Sequence, residues 1–401
     1  MRYSKEEVLQ FVEEEDVKFI RLAFCDVFGK QKNISIMPDE LSRAFEHGIA
    51  FDASAVAGFG DEAKSDLLLN PEPETLMPLP WRPEHGRVMQ MFSGITRPDG
   101  TPFECDTRNL LKKAVREAAD AGLEFSFGAE QEFYLFYLDE NGKPTHTPCD
   151  TAGYMDIAPE DKGENVRREI CLTLEQMGIR PESSHHEQGP GQNEIDFRYA
   201  DAVTAADNVM MFQRVVKTVA FRNGFFADFS PKPIEHAPGN GFHINMSVRP
   251  ADDERFNGMI SGILKNVKAM TAFLNPSHAS YQRLGSNKAP GYISWSAQNR
   301  SQLVRIPAAV GEFRRMELRS PDPLANPYLA FALMIYAALD GIKNNLSLPE
   351  PADVNLYKAD HVLLSRFEKL PGSFDEACGV TCESDFIRSH IPGEILSIYR
   401  N

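Results

Sequence analysis

The stretch SFGAEQEFYLFYL, residues 126–138, places two carboxylates inside a run of aromatic and aliphatic residues that predicts a buried β-strand. Because side chains at i and i+2 of a strand point to the same side, Glu130 and Glu132 share one face, and Gln131 and Phe133 share the other. Two like charges so close together repel each other unless a cation joins them. A bound divalent metal is one interpretation of the pair. Two solvated glutamates at an exposed strand edge are the other.

Four further residues of this kind follow in strands or turns of apolar or glycine-rich segments: Glu187, Glu194, His243 and Glu317. A lone histidine in a strand is usually a core residue, but five glutamates and one histidine form a larger pattern. Their oxygen and imidazole ligands would suit two cations of the Mg²⁺ or Mn²⁺ type. The lack of thiolate ligands in this set disfavours Zn²⁺.

Four arginines form a second group of candidate site residues: Arg283, Arg300, Arg305 and Arg319. Guanidinium groups bind carboxylates and phosphates through two hydrogen bonds at once. The sequence contains neither a GxxxxGK[ST] motif nor a GxGxxG motif after a strand, so a P-loop or a dinucleotide fold is unsupported. Arginines beside two metals would instead suit phosphoryl transfer without a P-loop.

Composition narrows the class of protein. The 401 residues are 42% hydrophobic, enough for a sizeable core, and the net charge of −16 argues against a nucleic-acid or an anionic-membrane partner. No apolar run reaches the roughly 18 residues of a membrane span, and the acidic N-terminus lacks the apolar part of a signal peptide. Six cysteines without a CxxC pair indicate reduced thiols. These features predict a cytoplasmic protein.

The chain is predicted to form two domains of an α+β fold, with residues 1–102 in a small first domain and residues 103–401 in a large second one. The proline-rich stretch 67–86 indicates an extended loop. A helix is predicted to begin at Asp106 or Thr107 and to end at Gly122. Further helices are predicted over 163–178, 201–223, 253–273 and 323–345. Strands are predicted over 124–138, 192–199, 241–249, 291–297, 302–306 and 313–319.

Seven ordered motifs make the chain resemble the bacterial type I glutamine synthetase family over nearly its whole length. They are FDASAVAGF (51–59), GAEQEFYLF (128–136), SHHEQGPGQNEIDF (184–197), GNGFHINMS (239–247), NPSHASYQRL (275–284), APGYISWSAQNRSQLVRIP (289–307) and MELRSPDPLANPYLAFA (316–332). The resemblance implies a small N-terminal β-grasp domain and a large catalytic domain whose curved antiparallel sheet forms a funnel. It also implies an ATP-dependent ligase that forms glutamine from glutamate and ammonia through a γ-glutamyl phosphate.

The resemblance further implies a role for each candidate residue. One metal would be held by Glu132, Glu187 and Glu194. The second metal, which bridges the ATP phosphates, would be held by Glu130, His243 and Glu317. The substrate glutamate would be bound by Arg283 and Arg319, with the backbone of Gly239 nearby. The transferring phosphoryl group would be stabilised by Arg300 and Arg305.

Two implied roles extend beyond this cluster. Ser247 falls where the family approaches the nucleotide, and Asp52 would reach into a neighbouring subunit's site to bind ammonium. The resemblance therefore implies a homo-oligomer, a ring of six subunits. We expect one ring at least as readily as two stacked rings, because the chain lacks the longer C-terminal tail by which type I rings bind each other.

One motif departs from the family pattern. In RLGSNKAP the segment before Ala289 is one residue shorter than usual, and Lys288 stands where the family has a glutamate that guards the intermediate and helps to deprotonate ammonium. Three hypotheses follow: a glutamate–ammonia ligase in which Asp52 alone is the base, a γ-glutamyl ligase for an organic amine, and a weakened or silent homologue that senses small molecules. We expect Lys288 to disfavour ammonium unless it turns away or pairs with an acid such as Asp52.

Overall fold

The computed structural model describes residues 3–60, 62–82, 85–286, 288–309 and 311–400, and within them the strands form two sheets. The first sheet contains β1 (Val17–Cys25), β2 (Gln31–Ile36), β3 (Ile49–Asp52), β4 (Asp66–Pro71), β5 (Met77–Pro78) and β6 (Arg87–Thr96). The second sheet contains β7 (Glu124–Leu138), β8 (Pro144–Pro148), β9 (Pro181–His186), β10 (Gln192–Asp201), β11 (Phe225–Asp228), β12 (Phe242–Arg249), β13 (Trp295–Ala297), β14 (Val304–Ile306) and β15 (Met316–Leu318). The two-sheet α+β architecture predicted from the sequence is confirmed.

The α-helices cover the sheets or connect their strands. They are α1 (Lys5–Glu14), α2 (Leu41–His47), α3 (Thr107–Asp120), α4 (Glu164–Gln176), α5 (Ala202–Arg222), α6 (Asp253–Leu274), α7 (His278–Arg283), α8 (Pro327–Lys343), α9 (His361–Leu364), α10 (Phe374–Glu383), α11 (Asp385–His390) and α12 (Gly393–Arg400). Among the described residues, none of these helices combines the length and the apolar character that crossing a membrane requires.

The predicted helices α3, α4, α5, α6 and α8 are all present, with ends within a few residues of those predicted. Asp106 is the N-cap of α3, because its carboxylate accepts hydrogen bonds from the backbone N–H groups of Arg108 and Asn109. The prediction that 67–86 is an extended loop is wrong in part. Leu67 and Leu69 are buried and alternate along β4, so apolar alternation outweighed the prolines, and those among the described residues lie at strand ends or in turns. Pro83 and Glu84 of that stretch lie outside the described residues.

Strand β7 is the centre of the second sheet, whose order is β13-β14-β15-β12-β7-β10-β9, with β8 and β11 also paired to β7. The pairs are antiparallel except for β13 with β14, which run parallel, so the predicted curved antiparallel sheet is in detail a mixed one. The last three predicted strands, at 291–297, 302–306 and 313–319, are shortened to β13, β14 and β15.

One face of β7 packs on helices, and this packing leaves the other face for polar side chains. Phe127 stacks on Phe331 of α8 with ring centroids 4.3 Å apart, and Phe133 meets Phe212 of α5 at 6.2 Å. Gln131 lies on the same side, since its Oε1 accepts a hydrogen bond of 3.2 Å from Gln213 of α5. The alternation predicted for β7 is therefore confirmed, and the glutamates are directed away from the helices.

A buried ion-pair network connects the first sheet to the helices of the second. Arg108 of α3 donates from Nε and Nη2 to both carboxylate oxygens of Asp207 in α5, at 2.8 and 2.9 Å. Its Nη1 lies 2.7 Å from Oε2 of Glu72, which follows β4. The hydroxyl of Tyr328 in α8 donates to Asp207 at 2.7 Å. Arg108, two carboxylates from other segments and the hydroxyl of α8 thus form one connected network.

We predict that Arg108→Met strongly destabilises the protein, because it leaves the buried Asp207 without its cation and the partly buried Glu72 without one of its two cations. Loss of one partner from such a pair costs roughly 3–5 kcal/mol of unfolding free energy. Thermal and urea unfolding should show the loss, and Arg116→Met on the exposed face of the same helix is the matched control. Equal stability of the two variants would contradict the assigned role of Arg108.

Candidate active site

On the polar face of the second sheet, side chains that can bind metals lie side by side on three neighbouring strands. In the register of the sheet, Glu130 of β7 lies opposite His243 of β12 on one side and opposite Asp196 of β10 on the other. Two residues along β7, Glu132 lies opposite Glu194 of β10. Because β7 is paired on both sides, its glutamates are surrounded by ligand-type side chains from each neighbouring strand.

The first predicted metal group, Glu130, His243 and Glu317, is brought together by the fold. Nδ1 of His243 lies 3.5 Å from Oε2 of Glu130 and 3.8 Å from Oε1 of Glu317, and one ligand atom of each residue fits within 4.8 Å of the others. His243 and Glu317 are buried. Burial and the nearby Arg319 hold the pKa of His243 well below its usual value, which keeps the imidazole neutral. A neutral imidazole and two carboxylates are a suitable ligand set for a divalent cation.

The second predicted group, Glu132, Glu187 and Glu194, lines one cavity of about 160 Å³ with the first group. The cluster whose ligand atoms all lie within 4.8 Å of one another differs from the prediction, because it joins His185, and not Glu132, to Glu187 and Glu194. The side chain of Glu132 does not join this cluster, because its Oε2 accepts hydrogen bonds of 2.9 Å from Nε2 of Gln192 and from the backbone N–H of Gly241.

These carboxylates oppose each other's ionisation. Burial and then Glu187 raise the pKa of Glu132 to about 7. Burial, Asp196 and Glu132 raise the pKa of Glu194 well above its usual range. The chemical meaning is that this cavity holds more carboxylate groups than its own cations neutralise.

The sequence analysis missed two residues of this carboxylate cavity, Asp196 and His185. Asp196 forms a further compact group with Glu130 and Glu194, and His185 Nε2 lies 3.3 Å from Oε1 of Glu187. The signal that would have found both is the alternation of the strands. Asp196 is two residues after Glu194 on β10, and His185 is two residues before Glu187, so each shares a face with a predicted ligand.

The four predicted arginines separate into a buried pair and a pair nearer the cavity mouth. Arg319 donates from Nη1 to Oε1 of Glu317 at 2.6 Å, and Arg305 binds the other oxygen of the same carboxylate. Arg283 is 3% exposed and donates to the backbone carbonyl of Ser320 at 2.7 Å. No described carboxylate lies within ion-pair distance of Arg283. Arg300 is exposed at the edge of the cavity.

Glycines keep the space around Arg283 open. A Cβ on Gly241 would lie 2.7 Å from Nε2 of His243 and 3.1 Å from Nη2 of Arg283. A Cβ on Gly239, the predicted glutamate-binding backbone position, would lie 2.9 Å from Cγ of Arg283. A side chain at either position would fill the space beside the guanidinium group, which explains the glycines of the GNGFHINMS motif.

Lys288 points into the cavity and pairs with an acid, although with Glu187 and not with Asp52. Its Nζ lies 3.0 Å from Oε2 of Glu187 and 4.7 Å from the centroid of the Tyr154 ring. Lys288 has a φ of +65°, a left-handed conformation that is uncommon for a lysine. The lysine cation therefore occupies a position formed by a carboxylate and an aromatic face, the usual recognition elements for an ammonium group. The preceding Asn287 lies outside the described residues.

Asp52 and Ser247 lie away from the carboxylate cavity of the same chain. Asp52 is exposed at the end of β3, where its Oδ1 accepts a hydrogen bond of 2.9 Å from the backbone N–H of Ser54. Ser247 lines a neighbouring cavity of about 700 Å³, to which Glu130 also contributes. This second cavity contains aromatic and basic side chains: Phe197, Tyr199, Phe313, Arg180, Arg198, Arg249 and Arg315.

Asn245 connects the two cavities and was not singled out from the sequence. Its Nδ2 donates to Oε1 of Glu130 at 2.8 Å, and its Oδ1 accepts from Nε of Arg315 at 3.0 Å. The amide thus links a guanidinium group of the larger cavity to a carboxylate that faces both cavities.

Comparison with known proteins assigns the chain to a family. Residues 16–98 match the family model described as "Glutamine synthetase, beta-Grasp domain", and residues 104–401 match "Glutamine synthetase, catalytic domain". The chain is 42% identical to a glutamine synthetase of Clostridium saccharobutylicum, with 99% of this chain and 94% of that protein covered. It is 43% identical to one of Methanosarcina mazei, with 99% and 92% covered.

Solved structures support the same assignment. A structure described as "GmaS/ADP complex-Conformation 1" superimposes with a TM-score of 0.89 at 28% identity, covering 98% of this chain and 94% of that one. "Apo GmaS without ligand" superimposes with a TM-score of 0.87 at 29% identity, covering 98% and 93%. The expected β-grasp first domain and catalytic second domain are confirmed, and the chain belongs to the glutamine synthetase family.

Proposed function

We propose that the protein is an ATP-dependent glutamate–ammonia ligase that forms glutamine through a γ-glutamyl phosphate. The observation that carries this proposal is the sheet face on which five glutamates and one histidine converge, in a cavity that three of the predicted arginines also line, beside a second cavity of nucleotide size. Phosphoryl transfer to a carboxylate requires cations that neutralise the phosphate charge and separate sites for the two substrates. The arginines and bound metals would meet the first requirement, and the two cavities would meet the second.

The donor set fits two divalent cations of the Mg²⁺ or Mn²⁺ type. Glu130, His243 and Glu317 would hold one ion. Glu132, Glu187 and Glu194 would hold the other, once Glu132 turns from its backbone partner. The raised pKa values of Glu132 and Glu194 support this assignment, because carboxylates crowded in a buried site are stabilised by cations. The ions would supply Lewis-acid neutralisation of the phosphate oxygens.

ATP, as the phosphoryl donor, is assigned to the cavity of about 700 Å³, where Ser247 lies beside the aromatic and basic residues. Arg300 and Arg305 are assigned to the phosphoryl group during its transfer, because both line the adjoining carboxylate cavity. Arg305 would exchange its present partner Glu317 for a phosphate oxygen. Glu130 lies between the two cavities, so the γ-phosphate would enter the carboxylate cavity beside it.

Glutamate is assigned to Arg283, Arg319 and the backbone of Gly239. Arg283 supports this choice most directly, because it is a buried guanidinium group without a described carboxylate partner. The side-chain carboxylate of the substrate attacks the γ-phosphorus, and ADP leaves. The amine then attacks the carboxyl carbon of the γ-glutamyl phosphate and expels phosphate, after a carboxylate base has accepted its proton.

Asp52 is assigned as a residue of the neighbouring subunit's site, where it would bind the ammonium ion and accept a proton. Its exposed position at the end of β3, apart from the cavities of its own chain, supports a role across an interface. The proposed assembly is a ring of six subunits, with stacking into a dodecamer open, and the proposed location is the cytoplasm. The division at residues 102 and 103 stays a prediction.

A second candidate function is γ-glutamyl transfer to an organic amine. It is favoured by Lys288, which places its own cation between Glu187 and Tyr154, and by the similarity to the GmaS structures. A silent sensor is disfavoured, because the six candidate metal ligands and the four arginines are all present.

The proposed function is tested by measuring phosphate release and the γ-glutamyl product from ATP and glutamate, first with ammonium and then with a panel of alkylamines. We expect glutamine to form, and we expect Lys288→Ala to lower the KM for ammonium by about tenfold, because the lysine cation competes with ammonium for Glu187.

Lys143→Ala, which removes an exposed lysine from the turn after β7, is the matched control. A product formed only with alkylamines would favour the second function. An ammonium KM that is the same in wild type, Lys288→Ala and Lys143→Ala would contradict the role of Lys288.

The intersubunit role of Asp52 predicts complementation between two inactive variants. Rings of Asp52→Ala alone and of Glu317→Ala alone should be inactive. Mixed rings should recover activity at about a quarter of their sites. Each site needs an intact Asp52 from one chain and an intact Glu317 from its neighbour, and in an equal mixture each is present about half of the time. The measurement is specific activity after the two variants are dissociated and reassembled together. Mixed rings that exchange subunits and stay inactive would place Asp52 in the site of its own chain.

A further inference from the structure

A cleft of about 1020 Å³ lies between the first sheet and α5, away from both cavities of the candidate active site. One wall is the turn between β1 and β2 with the start of β2, residues 28–33. The opposite wall is one side of α5, and Pro323, Leu324 and Ala325 close the end. No residue of this cleft lines either active-site cavity. The volume is at the upper end of the range for small-molecule sites.

The described lining of the cleft is cationic and contains neither aspartate nor glutamate. Its four charged residues are Lys30, Arg214, Lys217 and Arg222. This composition contrasts with the chain as a whole, which has 58 acidic and 42 basic residues and a net charge of −16. Arg214 and Lys217 of α5 are three residues apart, so they project toward the same side of the helix, and Arg222 adds a third cation at the end of α5.

The cations of the cleft are not neutralised by described carboxylates within ion-pair distance. Arg214 donates to the neutral side-chain carbonyl of Gln90, and its guanidinium group lies 5.4 Å from the ring of Trp81. Nζ of Lys217 lies 5.3 Å from the ring of Phe229. Burial, followed by the charges of Arg21 and Arg82, lowers the pKa of Arg214 to about 10. Positive charges therefore crowd at this wall without a matching anion.

Apolar surfaces accompany these charges inside the cleft. Phe28 in the turn between β1 and β2 is 36% exposed, and Phe221 of α5 is 63% exposed. Leu324 contributes a further 39% exposed apolar side chain. A free inorganic ion would not cover such surfaces, whereas a ligand with an apolar or planar body and several negative groups would contact both features.

We propose that this cleft binds an organic polyanion, with phosphate or carboxylate groups held by Arg214 and Lys217 and a body packed against Phe28 and Phe221. Lys30 belongs to the turn between β1 and β2 of the first sheet, whereas Arg214 and Lys217 belong to α5. A ligand held by both sides therefore bridges the first sheet and the helix that supports β7, a route by which it can alter the active site from a distance.

The test is isothermal titration of the protein in EDTA with two probes, ATP and citrate. Removing divalent ions weakens nucleotide binding at the active site, and the two probes separate a phosphate ligand from a carboxylate ligand. The double variant Arg214→Gln, Lys217→Gln should bind the preferred probe at least roughly tenfold more weakly than the wild type. The double variant Lys113→Gln, Arg116→Gln removes the same charge from the exposed side of α3 and should bind it as the wild type does.

Circular dichroism and oligomer size are measured for both double variants, so that loss of folding can be excluded as the cause of weaker binding. Saturable binding that weakens only in the α5 variant supports the site, whichever probe binds. Equal affinity of the wild type and the α5 variant, or equal weakening in both double variants, would overturn it. Because none of the altered residues lines the active site, failure of this test leaves the proposed ligase function standing.

Discussion

The repulsion among buried carboxylates on one face of the second sheet is the constraint on which the site depends. Glu130 and Glu132 come from one strand, and the pairing of β7 with β12 and β10 places His243, Glu194 and Asp196 beside them. An isolated buried carboxylate is costly, and several in contact are more so. The fold stabilises this arrangement by packing the opposite face of β7 with aromatic residues on α5 and α8, so the glutamates cannot turn inward.

The cations that the chain itself provides are placed at the edges of this acidic group. Arg305 and Arg319 both bind Glu317, and Lys288 binds Glu187, whereas Glu194 and Asp196 keep raised pKa values. Because only the carboxylates at the edges of the group have a cationic partner, the carboxylates in its middle are suited to bind cations that arrive with the substrates. Arg283 is the complementary case, a buried cation that lacks a described anion and so suits a substrate carboxylate.

Local pattern predicted much of this structure, and long-range pairing explains the rest. The faces of β7, the N-cap Asp106 and the trio of Glu130, His243 and Glu317 followed from alternation, capping and motif resemblance. His185 and Asp196 share faces with predicted ligands, yet only the strand register shows that they reach them. The direction of Lys288 could not be predicted, because it depends on a left-handed backbone conformation and on Tyr154, more than 130 residues earlier in sequence.

The central claim is that divalent cations complete the acidic face, and an anomalous difference map from crystals soaked in Mn²⁺ tests it most directly. The account predicts two peaks, one among Glu130, His243 and Glu317 and one among Glu132, Glu187 and Glu194. Glu132 should then have left the backbone N–H of Gly241 to face the second peak. A map without peaks among these side chains, at a Mn²⁺ concentration that supports turnover, would contradict the account.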